Sequence, residues 1–259
     1  MVEHTLDLVR SLPLVAKICG PLDISKPLFY GIGKYKTLSY TTETSQGRVL
    51  SPPTKLANEV SCLKEERKEE IKAWLKEKGI YEKDLLFVIH PGGHFPTQRW
   101  PEEKFARLIQ TLMRSLKVKI VVVGKDDEKG IVENVINKGA NSQMGIPKIL
   151  TAIGWPLNRI AALIERADLF VGNNSGPLHI AWAVGTLTVS TMGPTDPDLW
   201  WPVGKDHIVI RKNLPCSPCN RARCKRHDCM RLITVEDMVE AVETQIKKIS
   251  KAKCEDSAG

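Results

Sequence analysis

From residue 85 onward, apolar runs of strand length alternate with stretches whose apolar residues recur at helical spacing. Leu85–His90 (LLFVIH), residues 118–123 (VKIVVV, closed by Gly124), 168–171 and 187–191 are strand-like, with shorter runs at 148–150 and 208–210. Between them, residues 101–116 place Phe105, Leu108, Ile109 and Leu112 on one face, and 158–166 do the same with Ile160, Leu163 and Ile164. Residues 126–138, 177–184 and 234–249 complete the helices, the last with Thr234 as N-cap and Asp237 at its third position. Continuous apolar strands alternating with amphipathic helices predict an α/β fold, a parallel sheet covered on both faces. Right-handed crossovers make it doubly wound, with its ligand outside the C-terminal strand ends. Loops 91–100, 124–128, 172–176 and 192–202 all follow strands, so they share that edge.

Residues 1–80 break the pattern. Leu6, Leu8, Val9 and Leu12 suggest a short helix, residues 20–56 are irregular and carry four prolines, and 59–78 form a charged helix bearing Ile71, Trp74 and Leu75. This part lacks a βαβ series of its own. The expected division is 1–80, the tail of a preceding domain plus linker, and 81–250, one Rossmann-like domain.

Composition narrows the class. The chain has 259 residues, 42% of them hydrophobic, enough for one large core, or one core plus a partial second. A formal net charge of +8 favours anionic partners: nucleotides, phosphorylated glycans, acidic membrane surfaces or nucleic acid. No apolar run is long enough to span a bilayer. Seven cysteines, an odd count, and no N-terminal signal pattern predict a reducing, cytoplasmic compartment.

The candidate chemistry lies on the shared edge. Asn173-Asn174-Ser175-Gly176-Pro177-Leu178-His179 runs from a strand into a helix, which aims unpaired N–H groups and the positive end of the helix dipole at an anion. Asn174 and Ser175 could equally serve only as helix caps. In the 90–101 loop, Gly92 and Gly93 allow close backbone approach, and Arg99 offers a forked cation for phosphate. Glu128 follows the second strand, where an acid commonly holds ribose hydroxyls; Asp126 and Asp127 read as acids placed for the helix dipole. Trp155 offers either a stacking surface for a base or simple packing. Cys216, Cys219, Cys224 and Cys229 could hold a structural zinc ion or remain free thiols, in a loop made basic by Arg221, Arg223, Lys225, Arg226 and Arg231. That loop lacks the interleaved aromatics of a nucleic-acid knuckle, and no nucleic-acid partner is expected.

In order and spacing, HPGGHFPTQRWPEEKFARLI, VVVGKDDE, RADLFVGNNSGPLHIAWAVGT, MGPTDP and CSPCNRARCKRHDCM resemble the C-terminal half of glycosyltransferase family nine, the heptosyltransferases of lipopolysaccharide inner-core assembly. The resemblance covers about residues 83–245. It implies a GT-B architecture of two facing Rossmann-like domains, here with the N-terminal acceptor domain incomplete. It implies an ADP-sugar donor, a lipopolysaccharide-core acceptor at the membrane surface, an inverting transfer that needs no metal, and a place peripheral to the inner membrane. Position by position, it sets Gly93 and His94 at the diphosphate. Gln98 and Arg99 fall where the family has Lys and a following basic residue. Glu128 falls at the ribose and Trp155 at the adenine, and Asn174, Ser175, Gly176 and His179 at the sugar and diphosphate. Gln98 departs from the family's Lys and Asn174 from its Asp. The family's first strand, ending in Gly and a presumed catalytic Asp, has no counterpart; neither Asp7 nor Asp23 has that context. The implied function is heptosyl transfer; the alternative is a non-catalytic nucleotide-sugar-binding domain of a truncated or split transferase.

Overall fold

The computed structural model describes residues 65–140, 149–202 and 206–257. The expectations for residues 1–64, including Asp7, Asp23 and the short helix, lie outside the described residues. In chain order the elements are α1 (Glu65–Glu77), β1 (Leu85–His90), α2 (Glu102–Ser115), β2 (Val118–Gly124), α3 (Lys129–Ala140), β3 (Leu150–Ile153), α4 (Leu157–Arg166), β4 (Leu169–Asn173), α5 (Gly176–Ala183), β5 (Thr188–Thr191), α6 (Pro197–Trp200), β6 (His207–Ile210), α7 (Asp228–Arg231) and α8 (Val235–Ser257). The six strands pair in parallel in the order β3-β2-β1-β4-β5-β6. Chain progression reverses between β1 and β4, which is the switch point of a doubly wound sheet.

The two-residue period of a strand divides the core. Phe87 and Ile89 of β1 and Ile120 and Val122 of β2 face α2, α3 and α8. Leu86, Val88, Val121 and Val123 face the opposite layer, α1, α4 and α5. Apolar residues at both alternating positions explain why these strands read as unbroken runs. Phe105, Leu108, Ile109 and Leu112 of α2 are fully buried, as their spacing predicts. Residues 65–77 lie N-terminal of the expected boundary, yet α1 packs on the sheet: Ile71 and Leu75 are buried, and Glu70 and Lys68 pair with Arg159 and Glu165 of α4.

Three boundaries differ from expectation. The third strand spans Leu150–Ile153 rather than 148–150; as an edge strand with one partner it buries only Ala152, so its apolar signal is thin. The helix expected from 126 starts as a 3-10 turn over Asp126–Glu128, because the Glu128 side chain folds back onto the Lys125 N–H at 3.0 Å. The last helix runs beyond 249, to Ser257. Its N-terminus is closed as read: the Thr234 N–H donates to Asp237 Oδ2 (2.8 Å), and the Asp237 N–H donates to Thr234 Oγ1 (3.0 Å).

Phe105 packs edge-on against Trp100, ring centroids 5.0 Å apart, with no exposed surface. Phe105→Ala is expected to lower unfolding free energy by about 3–5 kcal/mol in urea titrations, through lost burial and the cavity left behind; a loss below about 1 kcal/mol would contradict this packing.

Candidate functional site

The register aligns the C-terminal ends of the three central strands. His90 lies beside Gly172, Gly172 beside Ser190, and Asn173 beside Thr191. A side chain at 172 would meet the His90 carbonyl oxygen at 2.9 Å, so glycine is needed for the strands to close here.

Asn173, the last residue of β4, has no exposed surface. Its Nδ2 donates to the Pro91 and Gly92 carbonyls at 2.9 and 2.8 Å. Its Oδ1 accepts the Trp100 N–H at 2.9 Å and the Thr191 hydroxyl at 2.8 Å. All four hydrogen-bonding positions of the amide are used, and the 91–100 loop is fixed at both ends to β4 and β5.

Glu128 makes the second junction. Its Oε1 accepts the Gly93 N–H at 2.9 Å, and its Oε2 accepts the Lys125 N–H at 3.0 Å and lies 3.1 Å from His90 Nε2. It is 2% exposed, and a Cβ on Gly92 would fall 2.3 Å from its Oε1, so Gly92 leaves the space that this carboxylate fills. Glu128, expected to hold ribose hydroxyls, has oxygens that pin the loops after β1 and β2. Burial pushes its carboxyl up, but the hydrogen bond and charge of His90 and the Lys125 N–H outweigh burial and hold it at about 2. Because ionised Glu128 only accepts, His90 Nε2 carries a proton, and Nδ1 faces Ser175 Oγ at 3.1 Å.

The remaining residues fall into two groups. Gly93, Arg99, Asn174, Ser175, Gly176 and His179 gather on the loop after β1 and at the β4–α5 junction. The Gly93 N–H is taken by Glu128, while its carbonyl accepts Arg99 Nε at 2.8 Å, leaving the two terminal nitrogens of Arg99 without a carboxylate partner among the described residues. Ser175 occupies the N-cap position but makes no capping hydrogen bond; its hydroxyl donates to the Asn173 carbonyl at 3.2 Å. Pro177 has no N–H and the Leu178 N–H donates to the Ser175 carbonyl at 3.0 Å, so in this first turn the Gly176 N–H is the donor left for an outside acceptor. Asn174 Nδ2 donates to the Trp200 carbonyl at 3.1 Å and ties α6 to the same junction. The His179 ring stands 4.6 Å from Trp182 and 5.4 Å from Trp200, and burial holds it at about 4. It is neutral at physiological pH, so it presents a polar ring rather than a cation.

The other candidates are engaged differently. Gln98 Oε1 accepts the Phe95 N–H at 3.2 Å and closes the Pro96–Gln98 turn; His94 is exposed against Phe95. Trp155 packs: Trp74 meets it edge-on at 4.7 Å, and the Arg159 guanidinium covers one face at 3.7 Å. The four cysteines neighbour one another electrostatically but differ in exposure. Cys216 and Cys224 lie on the surface, Cys229 points inward, and among the described residues no group of three or more His, Cys, Asp or Glu is placed to hold a metal ion. The Cys229 thiol is pushed up by burial and by the neighbouring Cys219, Cys224 and Cys216. Sequence reasoning missed Asn173 and His90. It also missed Thr195, whose hydroxyl in the loop after β5 is buried with no partner, although the Gly-Pro-Thr-Asp-Pro turn marks the place.

A sequence model of glycosyltransferase family 9 (heptosyltransferase) matches residues 50–229, well over half of the chain. The chain belongs to glycosyltransferase family 9. Among curated relatives, it is 25% identical over 169 residues to lipooligosaccharide heptosyltransferase 2 of Campylobacter jejuni, covering 64% of this chain and 51% of the relative. It is 28% identical over 163 residues to lipopolysaccharide heptosyltransferase 3 of Escherichia coli, covering 62% and 46%. A solved family 9 glycosyltransferase from Veillonella parvula superposes with a TM-score of 0.61 at 25% identity, covering 72% of this chain and 53% of that one. The ADP-heptose lipopolysaccharide heptosyltransferase II of E. coli shares the fold, with a TM-score of 0.60 at 20% identity, covering 71% and 52%. The chain thus spans about half the length of the relatives it matches. For this family 9 member, the described sheet is one Rossmann-like unit of the GT-B architecture.

The low Glu128 value has a pH consequence. A carboxyl ordinarily at 4.5 and held at about 2 in the folded chain adds stability above pH 4.5, lost as pH falls toward 2. Acid-unfolding curves of Glu128→Gln are expected to flatten in that window, with lower stability at neutral pH; an unchanged acid limb would contradict the junction. His179 and His207, both held at about 4 by burial, add a separate loss as pH falls from 6.5 toward 4, because there the unfolded chain takes up the protons.

Proposed function

We propose that the C-terminal sheet edge binds the nucleoside diphosphate of an ADP-sugar, and that this family 9 member transfers a heptose or related sugar from it to a lipopolysaccharide inner-core acceptor. The observation that carries the reading is the uncapped start of α5, held beside the free guanidinium end of Arg99 by the Asn173 and Glu128 junctions. The Gly176 N–H, the positive end of the α5 dipole and Arg99 would receive the diphosphate and stabilise its charge as it leaves. Asn174, Ser175, Gly176 and His179 would line the sugar, His179 as a neutral partner. His94 and Gln98 would flank the diphosphate on the opposite loop, and Trp155 would pack against adenine. Glu128 acts on this site as a positioning residue, through Gly93 and His90.

In such a transfer, a carboxylate takes the acceptor hydroxyl proton, the oxygen attacks the anomeric carbon with inversion, and the nucleoside diphosphate departs. No metal is needed on this reading, so EDTA is expected to leave turnover unchanged. The acceptor's place would be cytoplasmic, at the inner-membrane surface. Among the described residues no helix is long and apolar enough to cross a membrane.

Calorimetry with ADP, UDP and GDP tests the donor. ADP is expected to bind most tightly, with Arg99→Ala about tenfold weaker, the scale of one charge-assisted hydrogen bond, and Asn174→Ala weaker as well. Equal or tighter binding of UDP would overturn the adenine assignment. The second reading, donor binding without transfer by this chain, rests on the chain spanning about half the length of the relatives it matches. Turnover of ADP-heptose onto a core-lipid acceptor by this chain alone would exclude it.

A further inference from the structure

The charge of this chain is concentrated in one place. Residues 211–231 carry Arg211, Lys212, Arg221, Arg223, Lys225, Arg226 and Arg231 against Asp228 alone, a net +6 in a chain whose total is +8. Lys212 is paired with Asp237 and Arg226 with Asp228. Arg211 is held by Asn213 and Ser217. Arg221, Arg223, Lys225 and Arg231 are exposed and have no carboxylate partner among the described residues.

The segment carrying them is anchored at two points of the site edge. On the β1 side, Thr97 Oγ1 donates to the Arg221 carbonyl at 2.6 Å, and the Thr97 carbonyl lies 2.8 Å from His227 Nε2. On the β5 side, the Gly193 carbonyl accepts the Ser217 hydroxyl at 2.7 Å, and the Pro194 carbonyl accepts the Cys219 and Asn220 N–H groups at 3.0 and 2.9 Å. Inside, Cys229 and Met230 are buried against Gly193. An open groove lined by Pro96, Thr97, Arg223, Cys224 and His227 separates the strip from the Pro96–Gln98 turn. Four uncompensated cations are therefore held on a fixed platform next to the candidate donor site, with exposed Phe95 and Leu232 at its margins.

We propose that this strip docks the protein on an anionic lipid surface and so brings the donor edge to a membrane-bound acceptor. Like charges kept close without local carboxylates raise each other's energy unless an outside anion answers them, and a bilayer surface of acidic headgroups answers all four at once. A polynucleotide fits less well, because residues 211–231 contain no Phe, Tyr or Trp on which bases could stack. The role as an acceptor-delivery surface rests on the transfer reading above; the attraction to lipid does not.

The test is sedimentation of the full chain with vesicles of phosphatidylcholine alone or with about one-third phosphatidylglycerol, at low and high salt. Binding is expected only to the anionic vesicles and to fall as salt screens it. Each cation at such a surface contributes about a fivefold affinity gain, about 1 kcal/mol. The variant Arg221→Gln, Arg223→Gln, Lys225→Gln, Arg231→Gln should therefore lose about a hundredfold or more while binding ADP like the parent, which shows that it is folded. An equal-charge control, Lys72→Gln, Lys76→Gln, Lys117→Gln, Lys129→Gln, should keep vesicle binding. Equal loss in both variants, no preference for anionic vesicles, or tighter binding of single-stranded RNA through the same four residues would overturn the proposal. Vesicle binding by a chain that does not bind ADP would instead remove the donor reading and leave the surface standing.

Discussion

One buried amide holds the working edge together. Asn173 ends the central strand β4 and spends both donors and both acceptor positions on three other segments: the start of the 91–100 loop, its end at Trp100, and Thr191 of β5. An amide in this position cannot be exchanged for an apolar side chain without orphaning an N–H and two carbonyls in the interior, which is why such a group fixes geometry more firmly than its net stabilisation suggests. Glu128 repeats the device with a charge, joining the loops after β1 and β2 through Gly93, Lys125 and His90. Irregular loops gain fixed positions from these two side chains, and the uncapped start of α5 gains fixed surroundings.

The same logic extends outward along the edge. Thr97, in the loop that Asn173 and Glu128 immobilise, receives the basic segment through Arg221 and His227, and the turn after β5 receives it through Gly193 and Pro194. Candidate donor site and basic strip thus belong to one rigid assembly, built on the ends of parallel strands where helix N-termini already favour anions.

The sheet was legible because its strands are buried on both faces, so Leu85–His90 and residues 118–123 stand out as unbroken apolar runs. The edge strand Leu150–Ile153 was blurred because one neighbour and one buried residue leave little pattern. The one-turn helices α6 and α7 are too short for periodicity, although Asp196, whose Oδ1 accepts the Asp198 N–H at 2.9 Å, and the Pro197 that follows give a capping signal for the first. In the candidate site, residue type and loop membership could be read, but side-chain direction could not. Asn173 and Asn174 are neighbours of the same type, yet the first turns into the junction and the second toward α6. Glu128 sits at the expected place and faces inward, and Trp155 spends one face on Arg159. Thiol spacing likewise shows neither that Cys229 points inward nor that Cys216 and Cys224 stay at the surface.

The claim that Asn173 and Glu128 lock the edge is tested most directly by amide hydrogen exchange of the intact, unliganded chain. The Trp100 and Gly93 N–H groups belong to a loop, but they donate to buried side-chain oxygens. They are expected to exchange as slowly as the amides of Phe87, Val88 and Ile89 in the central strand, opening only when the sheet itself opens. Exchange of Trp100 and Gly93 at the rate of an exposed loop, with the strand still protected, would contradict the account.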